Sequence, residues 1–171
     1  MKVADVVPAF LTVCPTIGPA WQQYLESWSG EPERGHYNDA GVVAHHIVDS
    51  FERGDLSEFP SAFALLERCV SDGDEEANEL AVIGIIEDIQ NIGSHRSFGP
   101  WVFYEWLGPQ SRLAWDKLCE SWRQVANAKA PGLREPRPDQ PSAPQPDLSG
   151  VQDSALRRMI ESLYRRDGGG Y

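Results

Sequence analysis

The sequence is poor in the features that mark several common classes of protein. Its three cysteines, Cys14, Cys69 and Cys119, lie far apart and form no C-x-x-C pair, which is typical of buried thiols in a reducing compartment. No apolar run approaches the roughly eighteen residues of a membrane span, and Asp5 and Pro8 make the N-terminal segment a poor signal peptide. Strand-like alternation is also scarce. We therefore expect a cytoplasmic, all-α protein that does not bind membranes.

Basic residues are scarce as well. The chain has 15 Lys and Arg against 26 Asp and Glu, for a net charge of −11. Residues 1–128 carry a net charge of −12, whereas residues 129–171 carry +1. An acidic body of this kind repels phosphate backbones, so no nucleic-acid partner is expected. A basic protein is the natural electrostatic complement.

Helical patterns recur through the first 129 residues. Seven segments show apolar spacing of three and four residues between Gly, Pro or capping residues. They are predicted at about Val3–Val13, Pro19–Ser29, Ala40–Arg53, Pro60–Ser71, Asp74–Ile92, Pro100–Leu107 and Gln110–Lys129. Asn38 or Asp39 is expected to cap the third helix. Because the turns between the third, fourth and fifth helices are very short, an antiparallel bundle or a HEAT-like array is favoured.

The stretch Asp74–Asn91 has the most informative pattern. Its acidic first turn suits the positive end of the helix dipole. The run Leu80–Ile86 has apolar residues on every side, which predicts a helix surrounded by other helices. Glu87 follows this run, so we expect its carboxylate to be hydrogen-bonded at the core margin, to His45, His46 or an arginine. The alternative roles for Glu87 are a general base and a contact with a partner.

The composition changes sharply at Lys129. Residues 130–148 are rich in proline and are predicted to form an extended linker after a globular domain of residues 1–129. Residues 149–167 predict a short amphipathic helix with four arginines off its apolar stripe, and residues 168–171 predict a flexible tail. The stripe includes Leu156, Ile160 and Leu163.

The chain offers no catalytic signature. Motifs for a nucleophile elbow, a phosphate-binding loop or a cofactor are not recognisable. His45 and His46 are adjacent and would point about 100° apart on a helix, so they form no chelating pair, and no metal or cofactor is expected. An enzyme would have to use Glu87 and a histidine as its acid–base pair. We therefore expect the protein not to be an enzyme.

Two groups of residues are candidates for contact with a protein partner. One is an acidic run, whose simpler role is a solvated face that complements a helix dipole. The other is the aromatic-rich segment 98–106, whose rings pack into the core by default but include potential anchors for a partner. The candidates are Asp72, Asp74, Glu75, Glu76 and Glu79, with Trp101 and Tyr104 as apolar anchors and Glu87 and His45 as secondary contacts.

Three stretches carry a family resemblance: HHIVDSFERGD, FALLERCVSDGDEEANELAVIGIIEDIQN and WLGPQSRLAWDKLCESW. Over His45–Trp122 they resemble an uncharacterised bacterial family of small helical proteins, known as a domain of unknown function. Similar proteins are often immunity-like or hypothetical partners in toxin loci, so the resemblance implies a non-enzymatic binder and assigns no binding residue. We expect an immunity protein that neutralises a basic toxin by occluding it. The alternative is a regulatory or scaffold subunit that docks a partner through residues 149–167.

Overall fold

Seven α-helices make up most of the structure, a computed structural model that describes residues 1–29 and 34–129. They are α1 (Val3–Val13), α2 (Gly18–Ser27), α3 (His36–Arg53), α4 (Phe59–Asp72), α5 (Glu75–Glu79), α6 (Glu87–Ser94) and α7 (Pro109–Lys129). A π-helical segment, Leu80–Ile86, joins α5 to α6, and 3₁₀ turns occupy Pro15–Ile17 and Pro100–Trp106. These described ranges contain no strand, which confirms the predicted all-α class. The predicted linker, C-terminal helix and tail lie outside them.

The helix formed by α5, the π-helical segment and α6 is the centre of the fold, and we call it the central helix. It contacts α1, α3, α4 and α7. Its apolar side chains Leu80, Ile85, Ile86 and Ile89 are fully buried. The prediction of a helix surrounded by other helices is therefore confirmed over most of its circumference.

One stripe of the central helix faces solvent. Glu79 is exposed, Ile83 is 39% exposed and Glu87 is half-buried, at intervals of four residues. The amide of Glu87 donates to the carbonyl of Val82, five residues back, which is the bonding pattern of a π-helix. The expectation that every side of the apolar run is covered is wrong at Ile83, because the four neighbouring helices leave this stripe open.

The π-helical segment packs closely against α3 at Gly84. A Cβ atom at this position would lie 3.0 Å from both Ala40 Cβ and Leu80 Cδ1, and 3.3 Å from Tyr37 Cδ1. Contacts this short leave no room for a larger side chain unless the neighbours move. Glycine therefore permits the approach that places Tyr37 beside the open stripe.

Aromatic rings fill much of the core near the end of α6. The ring centroid of Phe51 lies 4.9 Å from that of Phe98 and 5.1 Å from that of Phe103. Phe59 meets Trp106 edge to face at 5.1 Å. The aromatic-rich segment is thus largely core, and it joins α3 to α4.

The start of α3 differs from the prediction. The helix begins at His36 with Gly35 at the N-cap position, so neither Asn38 nor Asp39 caps it. Asp39 instead accepts hydrogen bonds from the Tyr24 hydroxyl at 2.8 Å and from Arg34 Nε at 2.6 Å. Its carboxylate is committed to linking α2 with α3, and a cap was therefore the wrong expectation.

The N-terminal residues are held against the turn between α4 and α5. The Met1 carbonyl accepts from the Asp74 amide at 3.0 Å, and Lys2 Nζ lies 3.1 Å from the Asp74 carboxylate. Further along, α1 and the segment Pro15–Ser27 are bent by 98° relative to each other. Among the described residues no single helix is long and apolar enough to cross a membrane, and this bent pair reaches that length and composition only when its two parts are counted together.

Glu67 of α4 caps the start of α7. Its carboxylate accepts from the amides of Gln110 at 2.8 Å and Ser111 at 2.9 Å, and from the Ser111 hydroxyl at 2.7 Å. Burial alone would raise the pKa of Glu67, but these donors outweigh it and lower the pKa. A Cβ atom at Gly108 would overlap this carboxylate, which explains the Leu-Gly-Pro-x-Ser spacing at 107–111.

We predict that Gly108→Ala and Glu67→Ala destabilise the protein through the same lost cap. Each should lower the free energy of unfolding in urea by about 1–2 kcal/mol. Because alanine at position 108 acts by displacing Glu67, the double variant should cost little more than either single variant. Fully additive losses would show that Gly108 acts independently of the cap.

Candidate functional site

Glu58 links the turn before α2 to α3 and α4. Its carboxylate accepts from the Thr16 amide at 3.0 Å and the Thr16 hydroxyl at 2.6 Å, and His46 Nε2 lies 3.3 Å away. Burial alone would raise the pKa of Glu58, but the bonds from Thr16 and His46 outweigh it and hold the pKa below its usual value. This carboxylate therefore favours its charged form in the folded protein.

The same three residues do not form a nucleophilic relay. A relay needs the nucleophile on one ring nitrogen of the histidine and the acid on the other. Here the Thr16 hydroxyl at 3.2 Å and the Glu58 carboxylate at 3.3 Å both face Nε2 of His46. The arrangement suits a structural link between helices and not proton transfer.

Glu87 and Asp88 differ from Glu58 and Glu67. Both are half-buried in the first turn of α6, and neither makes a hydrogen bond or ion pair with a described residue. Burial raises the pKa of Glu87, and the charge of Asp88 raises it further. Burial also raises the pKa of Asp88, which the nearby His45 partly opposes. Within the described residues, the hydrogen bond expected for Glu87 is therefore not formed, and the carboxylate near His45 is Asp88.

A groove between α2 and α3 opens beside Asp88. Its volume is about 610 Å³, and its lining includes Tyr24, Trp28, Tyr37, His45, Asp49 and Asp88. Gly41 lies close to Asp88, since a Cβ atom at this glycine would be 3.5 Å from Asp88 Oδ2, an ordinary van der Waals contact. Aromatic faces beside carboxylates form an environment that favours a cationic side chain.

Two large apolar side chains lie exposed beside these carboxylates. Tyr37 is 46% exposed and Ile83 is 39% exposed. Burial raises the pKa of Tyr37, and the nearby carboxylate of Glu79 raises it further. We call the surface formed by Tyr37, Glu79, Ile83, Glu87 and Asp88 the acidic face.

The predicted contact residues fall into two separate regions. Asp72, Glu75, Glu76 and Glu79 are exposed near the start of the central helix, where Asp74 caps α5 by accepting from the Ala77 amide at 2.9 Å. Trp101 and Tyr104 are half-buried near its far end. They pack against Trp115 at 5.8 Å and 6.2 Å.

The π-helical segment separates the two regions along the central helix, because the acidic run ends at Glu79 and the rings pack on Trp115, whose carbonyl accepts from Gln90. The structure therefore does not bring Trp101 and Tyr104 together with the acidic run. Of the predicted residues, Glu79 and Glu87 belong to the acidic face, and His45 lines the adjoining groove. The other predicted contacts, Leu156, Ile160 and Leu163, lie outside the described residues.

Reactive and metal-binding groups are not clustered in the described part of the chain. No group of three His, Cys, Asp or Glu side chains there is arranged to hold a metal ion. Burial raises the pKa of Cys14, with a contribution from Glu58, and that of Cys69, to about 11 in each case. Both thiols therefore stay protonated near neutral pH and are poor nucleophiles.

The family model described as a domain of unknown function, DUF7674, matches residues 7–123. The chain belongs to this family. The DUF7674 match extends beyond the His45–Trp122 resemblance and covers α1 to α6 almost completely, together with most of α7. It therefore contains the acidic face and the groove. Comparisons with curated proteins and with solved structures found no match.

We predict that truncation of Glu58 destabilises the protein, whereas truncation of Glu87 does not. At pH 7, Glu58→Ala should lower the free energy of unfolding by about 1–3 kcal/mol, because it leaves the donors of Thr16 without an acceptor. Glu87→Ala is the matched control and should change it by less than about 0.5 kcal/mol, since no internal bond is lost. Urea unfolding monitored by circular dichroism measures both.

The pH dependence provides a second check on Glu58. Its folded-state pKa is lowered, so its stabilisation is present above the ordinary value of 4.5 and is lost as the pH falls through the folded pKa. The difference between the wild type and Glu58→Ala should therefore shrink on acidification. A difference that stays constant down to pH 3 would show that the Glu58 charge has no part in the link.

Proposed function

We propose that this protein is a non-enzymatic binding module whose acidic face binds a basic surface of another protein. The observation that carries the proposal is the pair Glu87 and Asp88, which are half-buried without an ion-pair partner among the described residues. Their desolvation disfavours the charged state in the free protein. A cationic partner would offset that cost on binding.

The surroundings of the pair suit a protein interface. Tyr37 and Ile83 supply exposed apolar area at the middle of the acidic face, with Glu79 and Glu87 at its edges. Binding energy in interfaces concentrates in such apolar or aromatic centres surrounded by polar groups. The π-helical backbone beneath Ile83 also fits this role, since π-helical segments occur frequently at functional sites.

The charge of the body favours fast encounter with a basic partner. Residues 1–128 carry a net charge of −12, a field that accelerates association with a positively charged protein and does so less at high salt. Within this proposal we favour an immunity protein that occludes a basic toxin. Toxins that act on nucleic acids or phosphates tend to be basic because their substrates are anionic.

The test is capture of a partner with isosteric variants of the full chain. Wild type, Glu87→Gln/Asp88→Asn and the control Glu75→Gln/Glu76→Gln are immobilised and exposed to native cell extract at about 50 mM and 500 mM salt. We expect a stoichiometric basic partner at low salt, bound at least tenfold more weakly by the first variant, or about 1.4 kcal/mol. The control has the same net charge as the first variant, and its affinity for the partner should fall by no more than about threefold.

Two outcomes would contradict the proposal. Equal losses in both variants would mean that net charge alone, and not the acidic face, determines binding. If the binding of the partner is unaffected by Glu87→Gln/Asp88→Asn, the interface lies elsewhere. The immunity role is tested separately, by whether the captured protein is toxic and whether the wild type suppresses that toxicity better than the variant.

A further inference from the structure

The arginines of residues 149–167 are not equivalent on a helix. With 3.6 residues per turn, Leu156, Ile160 and Leu163 define one face. Arg157 and Arg166 border that face on its two sides, whereas Arg158 and Arg165 point away from it. The helix that this pattern predicts therefore has an apolar stripe bordered by two cations, with Asp153 and Asp167 on the same side near its two ends, and a second pair of cations on the opposite side.

We propose that residues 149–167 of the same chain dock on the acidic face and compete there with the basic partner. The apolar stripe covers Tyr37 and Ile83, and Arg157 and Arg166 approach the carboxylates at its edges. The competition with a partner rests on the proposed function. The docking does not, because it takes place within a single chain. The occupant is thus a segment of this protein, and the acidic face is regulated by its own C-terminal region.

The carboxylates of the central helix and the arginines of residues 149–167 have similar spacing. Glu79 and Glu87 are eight residues apart on the central helix, at most about 12 Å at the rise of an α-helix, with the exposed Ile83 midway between them. Arg157 and Arg166 are nine residues apart, about 14 Å on a helix, with the apolar stripe between them. An apolar centre between two charges on each element allows simultaneous contact.

The connection between α7 and residues 149–167 is long enough for this segment to reach the acidic face. Nineteen residues, 130–148, separate the end of α7 from the segment, and a proline-rich chain extends about 3.1 Å per residue, or roughly 59 Å in all. A folded body of this size has a radius of gyration of about 14 Å, so any face is within reach. Tethering supplies an effective concentration of the order of millimolar, so weak docking suffices.

A large apolar side chain of α7 is also exposed in the part of the helix that precedes the tether. Trp122 is 48% exposed and lies seven residues after the buried Trp115, on the same side of α7. That side faces the central helix, since Gln90 donates to the Trp115 carbonyl at 3.2 Å and to Cys119 Sγ at 3.4 Å.

The test is paramagnetic broadening in the full chain. A nitroxide is attached at Ser154→Cys, a position opposite the apolar stripe, in a Cys119→Ser background. Cys14 and Cys69 are buried with a pKa raised to about 11, so they resist labelling at neutral pH. We expect the broadening of amide signals to be strongest at Tyr37, Ile83 and Glu87.

Charge reversal provides the matched comparison. Arg157→Glu/Arg166→Glu should abolish the broadening, whereas Arg158→Glu/Arg165→Glu, with the same change in charge on the opposite side, should largely retain it. Equal loss in both variants, broadening centred elsewhere, or none at all would overturn the proposal. So would broadening that appears only when spin-labelled chains are mixed with isotope-labelled ones, because the occupant would then be a second copy.

The partner assay separates this inference from the proposed function. If docking blocks the acidic face, Arg157→Glu/Arg166→Glu should bind the captured partner several-fold more tightly than the wild type. Unchanged affinity would overturn the competition while leaving partner binding intact. Failure to capture any partner would overturn the proposed function alone, since the broadening is measured without one.

Discussion

The rest of the structure depends on the burial of one helix by four others. The central helix contacts α1, α3, α4 and α7, so nearly all of its circumference is committed to the core. What remains is a stripe of residues at four-residue intervals, where the apolar run exposes Ile83. The same packing places Tyr37 against Gly84 and brings Asp88 to the groove between α2 and α3.

The carboxylates divide into two sets with different physical roles. Glu58 and Glu67 each accept several hydrogen bonds from residues distant in sequence, and their pKa values are lowered although burial opposes this. Glu87 and Asp88 are half-buried, have no such donors among the described residues, and their pKa values are raised. The first set stabilises the fold, and the second is placed where a cation from outside would be stabilising.

The local sequence pattern predicted most of the helices well. The observed α1 has the predicted bounds, and α4 and α7 begin one residue earlier than predicted. In contrast, α3 begins four residues before its predicted start, and the helix predicted at Pro100–Leu107 is a 3₁₀ helix. The acidic face was only partly predictable, because Glu79 and Glu87 stood out in the sequence but the exposure of Tyr37 and Ile83 depends on which side the neighbouring helices cover. Glu58 and Glu67 were missed because their partners Thr16, Gln110 and Ser111 lie 42 to 44 residues away. Local spacing does not show contacts over such separations.

The most direct test of the division of the carboxylates into two sets is a carboxyl NMR titration of the full chain at about 0.5 M salt. Such salt weakens any ion pair between these carboxylates and the arginines of residues 149–167, while the effect of burial remains. The account predicts that Glu58 and Glu67 titrate below the ordinary value of 4.5, Glu87 above it, and Asp88 above the 3.8 of an ordinary aspartate. Glu87 and Asp88 titrating at or below these values would contradict it, because burial would then not disfavour their charged forms.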